Sequence, residues 1–191
     1  MQDHPLAAVI TLGQSGLDAN HLPLDFDPEP SPLGTLRGHV SRANGMWREA
    51  SKDVDTLAIF QGPNAYISPS WYPSKHESGG RAVPTYNYIV VHAYGRIRFI
   101  QDAEWLRAHV TKLTDRFEAG SAEPWKVTDA PPDFIDGLLK GIVGFELEVT
   151  RLAGKWKMSQ NRSEADRRGV VEGLGVSNDA VARLVGGHGG S

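Results

Sequence analysis

The chain has 191 residues, of which 40% are apolar, no cysteine, and a formal net charge of −3. That length and apolar share support a sizeable packed core and exclude wholesale disorder. Without cysteine there is no disulfide, no thiolate nucleophile and no cysteine-based zinc or iron–sulfur site, which fits a cytoplasmic protein. The apolar stretches are strand-sized, too short for a membrane-spanning helix, and no charged-then-apolar leader marks a signal peptide. The basic residues are scattered, so no broad footprint for nucleic acid is evident.

Val9–Leu12 and Leu17–Leu24 read as two strands joined by the turn Gly13-Gln-Ser-Gly16. On the second strand, Ala19 and His21 share one face, and Asn20, Leu22 and Leu24 the other. Asp27–Pro32 carries three prolines and reads as a loop. Gly34–Val40 is a third strand, and Ser41-Arg-Ala-Asn44 leads into a short helix near Met46–Ser51. Thr56–Phe60 is a strand that breaks at Gly62-Pro63, and Ala65–Ser68 is the next. Tyr86–Ile100 is the longest strand signal, with a bulge or bend expected at Gly95. Asp102 then caps a helix on which Trp105, Leu106, His109, Val110 and Leu113 recur at helical spacing.

The acidic, proline-rich stretch to Pro132 is a connection, and Asp133–Lys140 is a second short helix. Ile142–Leu152 alternates as a strand and is followed by Gly154–Arg162. Ser163–Glu172 and Asn178–Val185 read as helices, and Gly186–Ser191 as a flexible tail. Six or seven strands in mostly hairpin-like order, with helices added late, make a mainly β (α+β) chain. A small closed or split β-barrel suits this order. The alternation of a doubly wound sheet is missing, and no G-x-G-x-x-G follows a strand.

The densest chemistry lies in Ser68-Pro-Ser-Trp-Tyr-Pro-Ser-Lys75, followed by Pro84-Thr-Tyr-Asn-Tyr88. The prolines pin turns, the hydroxyls and the lysine suit a phosphate, and the aromatics offer a flat face to a ring. A rigid surface loop with Trp71 and Tyr72 packed on the core accounts for the same residues. His39-Val-Ser-Arg-Ala-Asn44 places an imidazole, a hydroxyl, a guanidinium and an amide together, where arginine forks onto phosphate. An ordinary polar strand end reads the same way. Lys155-Trp-Lys-Met-Ser-Gln-Asn-Arg162 suits ring stacking and phosphate contact, or a solvated loop anchored by Trp156.

His21, His39 and His92 fall on three strands, but no HExxH helix and no short His-x-His pair accompanies them. Metal ranks below ordinary structural histidines, with haem a little above metal. Gly175–Val185 has the look of a helix-turn-helix, yet Asp179 opposes phosphate and no third helix completes a module. Packing of the two helices against the barrel is the favoured reading. No nucleophilic triad is supported.

Phe60-Gln-Gly-Pro-Asn-Ala-Tyr-Ile-Ser-Pro-Ser-Trp-Tyr-Pro-Ser-Lys75 resembles the PaiB family of FMN-binding negative transcriptional regulators. Thr35–Asn44, Val83–Tyr88, Val91–Gly95, Ile142–Glu146 and Gly154–Arg162 fit it in family order, from about Asn20 to Glu172. The segment after Glu172 matches weakly. Family members begin with a leader and a short helix, whereas this chain starts at Met1-Gln-Asp-His-Pro5, near that helix's end.

The resemblance implies an FMN-binding split barrel, similar to pyridoxamine-phosphate oxidases, that works as a homodimer. It implies that His39, Ser41, Arg42 and Asn44 flank the phosphate. Ser68, Ser70, Trp71 and Lys75 would border the flavin, Asn87 would line the pocket, and Trp156 and Lys157 would close it. The expected division is 1–162 for the FMN-binding domain and 163–191 for helices and tail. Two alternatives stand beside a flavin-dependent regulator: an FMN-dependent oxidoreductase of a small molecule, and a haem-binding split barrel. Direct contact with DNA is not evident.

Overall fold

The computed structural model describes residues 1–187. It divides into two compact units, one of Met1–Phe60 with His92–Ala153 and one of Gln61–Val91 with Gly154 onward.

Seven strands carry the chain: β1 Leu6–Gly13, β2 Gly16–Pro23, β3 Asp25–Asp27, β4 Thr35–Ser41, β5 Thr56–Ile67, β6 Thr85–Ile100 and β7 Ile142–Lys157. Their order in the sheet is β2-β1-β5-β6-β7-β4-β3. In the first unit, β1 and β2 form the expected hairpin, with Gly13 opposite Gly16 across a two-residue turn. β2 and β3 are nearly one extended stretch. Its first part pairs with β1 and its last three residues pair with β4, so the two ends of the strand order meet and the sheet closes. The short β3 was not expected from the sequence, since it is too brief to carry a period.

Alternation along β4 and β7 places Leu36, Val40, Val143, Phe145 and Leu147 inside, each at most 2% exposed. Burying a side chain of this size contributes about 1.5–3 kcal/mol. Helix α1, Met46–Glu49, follows β4. Helix α3, Ala103–Glu118, starts where expected, because the Asp102 carboxylate accepts the Trp105 N–H at 2.8 Å. Its buried residues Leu106, His109 and Leu113 recur at helical spacing. Helix α4, Pro132–Leu139, sets Ile135 and Leu139 against Leu106 and Val127.

Three expectations change. The two strands predicted at 56–60 and 65–68 are one strand, β5. Its buried positions are Thr56, Ala58 and Phe60, then Ala65 and Ile67, so the inward phase shifts by one across Gln61–Asn64. Gly62-Pro63 is thus an irregularity inside a strand rather than its end, as a proline tolerates where the ladder is already interrupted. Strand β7 runs on to Lys157, so Gly154-Lys-Trp-Lys157 is strand rather than loop. Strand β6 continues through Gly95. That glycine answers a close approach, since a Cβ there would stand 1.8 Å from the Glu148 carbonyl oxygen.

In the second unit, the carboxyl end of β5 enters a 3₁₀ turn at Pro69–Trp71 and helix α2, Ser74–Glu77. Helices α5, Glu164–Leu174, and α6, Asp179–Gly186, bury Val170, Leu174, Val181, Ala182 and Val185 around Ile67, Tyr72 and Met158. The predicted tail is described only to Gly187, and its last four residues lie outside the described residues. No described helix is long and apolar enough to cross a membrane.

Candidate functional site

Four of the predicted site residues lie in the first unit. His39 projects from β4 toward α3, where its Nδ1 stands 3.1 Å from His109 Nε2. Trp105 stacks on His109 at 5.2 Å between ring centroids, and its indole N–H donates to Glu146. Burial lowers the pKa of His39, and burial with the neighbouring His39 lowers that of His109 to about 4. Burial also works on Glu146, but hydrogen bonds from Arg37 and Arg98 overcome it and hold this carboxyl below its ordinary range.

Arg42 donates from Nε to the Lys140 carbonyl at 2.8 Å, from Nη1 to Gln101 at 2.7 Å and from Nη2 to the Ile142 carbonyl at 3.2 Å. These bonds use three of the five N–H donors of a guanidinium. Asn44 donates to Asn20 at 2.6 Å and accepts the Met46 N–H at 2.8 Å, joining the end of β4 to β2. Ser41 is exposed and accepts the Ala43 N–H at 3.3 Å.

The other seven lie in the second unit. Ser68 caps the 3₁₀ turn by accepting the Ser70 N–H, and the two hydroxyls stand 2.6 Å apart. Trp71 lies flat on α5, where a Cβ at Gly173 would be 2.3 Å from the indole, so only glycine admits this packing. Ser74 N–H and Oγ both donate to the buried Asp166 carboxylate, at 3.1 and 2.7 Å, and tie the loop to α5. Asn87 is 1% exposed and donates to Ser159 Oγ at 3.0 Å. Lys157 Nζ donates to Thr85 Oγ1 at 2.6 Å, and Trp156 is 45% exposed.

Among the described residues, Lys112 is the one lysine that meets a carboxylate. Lys75 and Lys157 are both half-buried without one. On the same unit, Tyr66 and Tyr86 meet edge to face at 5.9 Å. A hollow of about 400 Å³ is lined by Gln61, Asn64, Tyr86, Tyr88, Ile89 and Val90. Uncompensated ammonium groups, exposed hydroxyls and open aromatic faces are the donor set that a phosphorylated planar ring requires.

The sequence did not assign His109, Tyr72, Arg162, Thr85 or Ser159 to any site. Tyr72 and Arg162 stand inside motifs already singled out. His109 reads from sequence as a helix-face residue, since its partner is 70 residues away.

Residues 1–151 match the family profile described as "Putative FMN-binding domain". The chain is 35% identical over 174 residues to the protease synthase and sporulation protein PAI 2 of Bacillus subtilis, covering 91% of this chain and 80% of that protein. It is 32% identical over 210 residues to an uncharacterized protein of Emericella nidulans, covering 91% and 83%. Among solved structures it is similar to the FAD and heme binding protein from Mycobacterium smegmatis, with a TM-score of 0.54 and 16% identity, over 82% of this chain and 67% of that one. It is likewise similar to the flavocytochrome Anf3 from Azotobacter vinelandii, with a TM-score of 0.53 and 15% identity, over 80% and 62%. At such identities these two show the fold alone, which is a split barrel. The chain therefore belongs to the FMN-binding domain family, whose cofactor is FMN, and is a homologue of the Bacillus subtilis PAI 2 protein.

Proposed function

We propose that this chain is a homodimeric FMN-binding flavoprotein of the PaiB type, whose second unit holds the phosphate at Lys75 and Lys157 and the ring beside Trp156. One observation carries this reading: two half-buried ammonium groups that no carboxylate compensates among the described residues. A partly desolvated cation without a counter-charge costs free energy, and a phosphate removes that cost. Ser68 and Ser70 supply hydroxyl donors, Trp71 a wall, and Asn87 the amide that shapes the turn at Ser159.

In the first unit, Ser41 and the remaining donors of Arg42 keep capacity for an anion. His39 and Asn44 are held by His109 and Asn20, so they shape the strand end. We assign residues 1–162 to the cofactor-binding domain and 163–191 to the carboxy-terminal addition. FMN, when bound, supplies the electron chemistry, and the protein binds, orients and shields it.

Through this flavin, rather than through a helix in the DNA groove, the protein acts as a negative regulator of gene expression. Arg183 on α6 is paired with Asp179 at 2.9 Å, and Val181, Ala182 and Val185 are buried, which leaves α6 little cationic surface for phosphate. The same observation supports a second reading, an FMN-dependent oxidoreductase of a small molecule in the cytoplasm.

The test is the visible absorption and fluorescence of purified protein before and after FMN addition and gel filtration. Flavin retained in a dimer-sized peak is the expected result, and a flavin-free peak overturns the reading. Oxidation of a reduced nicotinamide then marks the enzyme, whereas DNA binding with a steep salt dependence marks a direct regulator.

A further inference from the structure

Just past the end of β4, Arg42 lines a hollow of about 270 Å³ whose wall also carries Gln101, Asp136 and Lys140. All of these residues belong to the first unit. The arginine is fixed from several sides. Its Nε donates to the Lys140 carbonyl, Nη1 to the Gln101 side-chain oxygen and Nη2 to the Ile142 carbonyl. Its backbone N–H donates to the Gly141 carbonyl at 2.8 Å. The Trp47 ring lies 5.8 Å from its Cζ.

All three side-chain acceptors are neutral oxygens, so they orient the guanidinium without cancelling its charge. One N–H remains on each of Nη1 and Nη2, the pair with which an arginine forks onto a carboxylate. Neither Arg42 nor Lys140 forms an ion pair among the described residues. The one carboxylate in the lining, Asp136, is paired with Arg107.

The floor of the hollow is apolar. Leu106 is 2% exposed and Leu139 is 6% exposed, and both belong to the cluster that packs α3 on α4. An inorganic anion would satisfy the cations and leave this floor wet. An alkylammonium would cover the floor and be repelled by the cations. An acid with an alkyl tail satisfies both.

The geometry points to this hollow as a binding site for a short aliphatic carboxylate, with its carboxylate on Arg42 and Lys140 and its tail on Leu106 and Leu139. The volume lies below the range of about 300–1,000 Å³ that holds drug-sized ligands, which suits a small acid. Because neutral oxygens already hold the guanidinium, binding loses little side-chain freedom there. The site goes beyond the FMN reading and does not rest on it, since that reading assigns the phosphate to Lys75 and Lys157 in the second unit.

The test is a titration of the full chain with acetate, propanoate and butanoate at fixed ionic strength, following the Leu106 and Leu139 methyl resonances. Affinity should rise about two- to fourfold with each added methylene, as the tail covers the floor. K140Q leaves in place the backbone carbonyl that holds Arg42, and should weaken butanoate about two- to fivefold. R42Q should weaken it about tenfold, and K140Q decides alone where R42Q does not fold. Butylammonium should leave both resonances unmoved.

No shift with butanoate overturns the site. Equal affinity for acetate and butanoate overturns it too, since the floor then takes no part. Unchanged affinity in K140Q, or an equal response to butylammonium, does the same. Butanoate should bind as well in the presence of FMN. Its displacement by FMN would make the hollow part of the cofactor site and overturn the inference, whereas a chain that binds butanoate and no FMN supports it and overturns the flavin reading.

Discussion

Acidification should destabilise the fold through one buried imidazole, His109. It is 5% exposed, stacked under Trp105 and bonded to His39 at 3.1 Å. The two imidazole centroids are 5.3 Å apart, the spacing of rings whose nitrogens point straight at each other, so one N–H lies on that axis. Burial is the largest cause that lowers its pKa to about 4, and the charges of His39, Arg37 and Lys112 push the same way while Asp25 opposes them.

In the unfolded chain a histidine titrates near 6.5. Between these two values the unfolded state binds more protons than the folded one, so stability rises with pH. The contribution is present in full above 6.5, is lost progressively as pH falls, and is gone below about 4. A shift of this size amounts to about 3 kcal/mol. Urea denaturation of the wild type and of H109Q, compared between about pH 7.5 and about pH 4, isolates it. The wild type should lose about 3 kcal/mol more than the variant over that range. Parallel losses, or a His109 resonance that titrates near 6.5 in the folded protein, would refute the reasoning.

Removing the Asp166 carboxylate with D166A should cost about 3 kcal/mol, because two bonds from Ser74 to a buried carboxylate are lost. Hydrogen exchange at α2 should speed up, and unchanged protection there would show that these bonds do not hold the loop. G173A should lower stability by about 1–3 kcal/mol, against the gain of about 1 kcal/mol that alanine normally brings to a helix. The added Cβ would meet the Trp71 indole at 2.3 Å, and a raised melting temperature would contradict this packing. K157M should weaken FMN about tenfold and spare riboflavin in calorimetric titration, and equal losses for both ligands would remove Lys157 from the phosphate site.

Much of the architecture was legible because it is local. The Gly13–Gly16 turn, the Asp102 cap and the alternation along β6 and β7 each need only a few neighbouring residues. The misread places are those where the period breaks. Gly62-Pro63 looks like a strand end because proline lacks an N–H, yet the chain continues with its inward phase shifted. Gly154–Lys157 looks like a loop because it is polar, yet a strand exposed on both faces carries no alternation to read.

The sequence by itself determined the strand order's raw material, the helix starts and the family motifs, since propensity, capping and alternation act within a turn or two of chain. Only the tertiary structure decided which of the motif residues remain available. Arg42 reaches Lys140 across 98 residues and Ser74 reaches Asp166 across 92, so their engagement exists only once distant segments meet. Lys75 and Lys157 carry the same charge in sequence as any other lysine, and the absence of a carboxylate beside either among the described residues is a property of the folded surface. The Tyr72 side chain is the sharpest case: helices α5 and α6 close an apolar shell around it, and among the described residues its hydroxyl meets no hydrogen-bond partner, which no local pattern encodes.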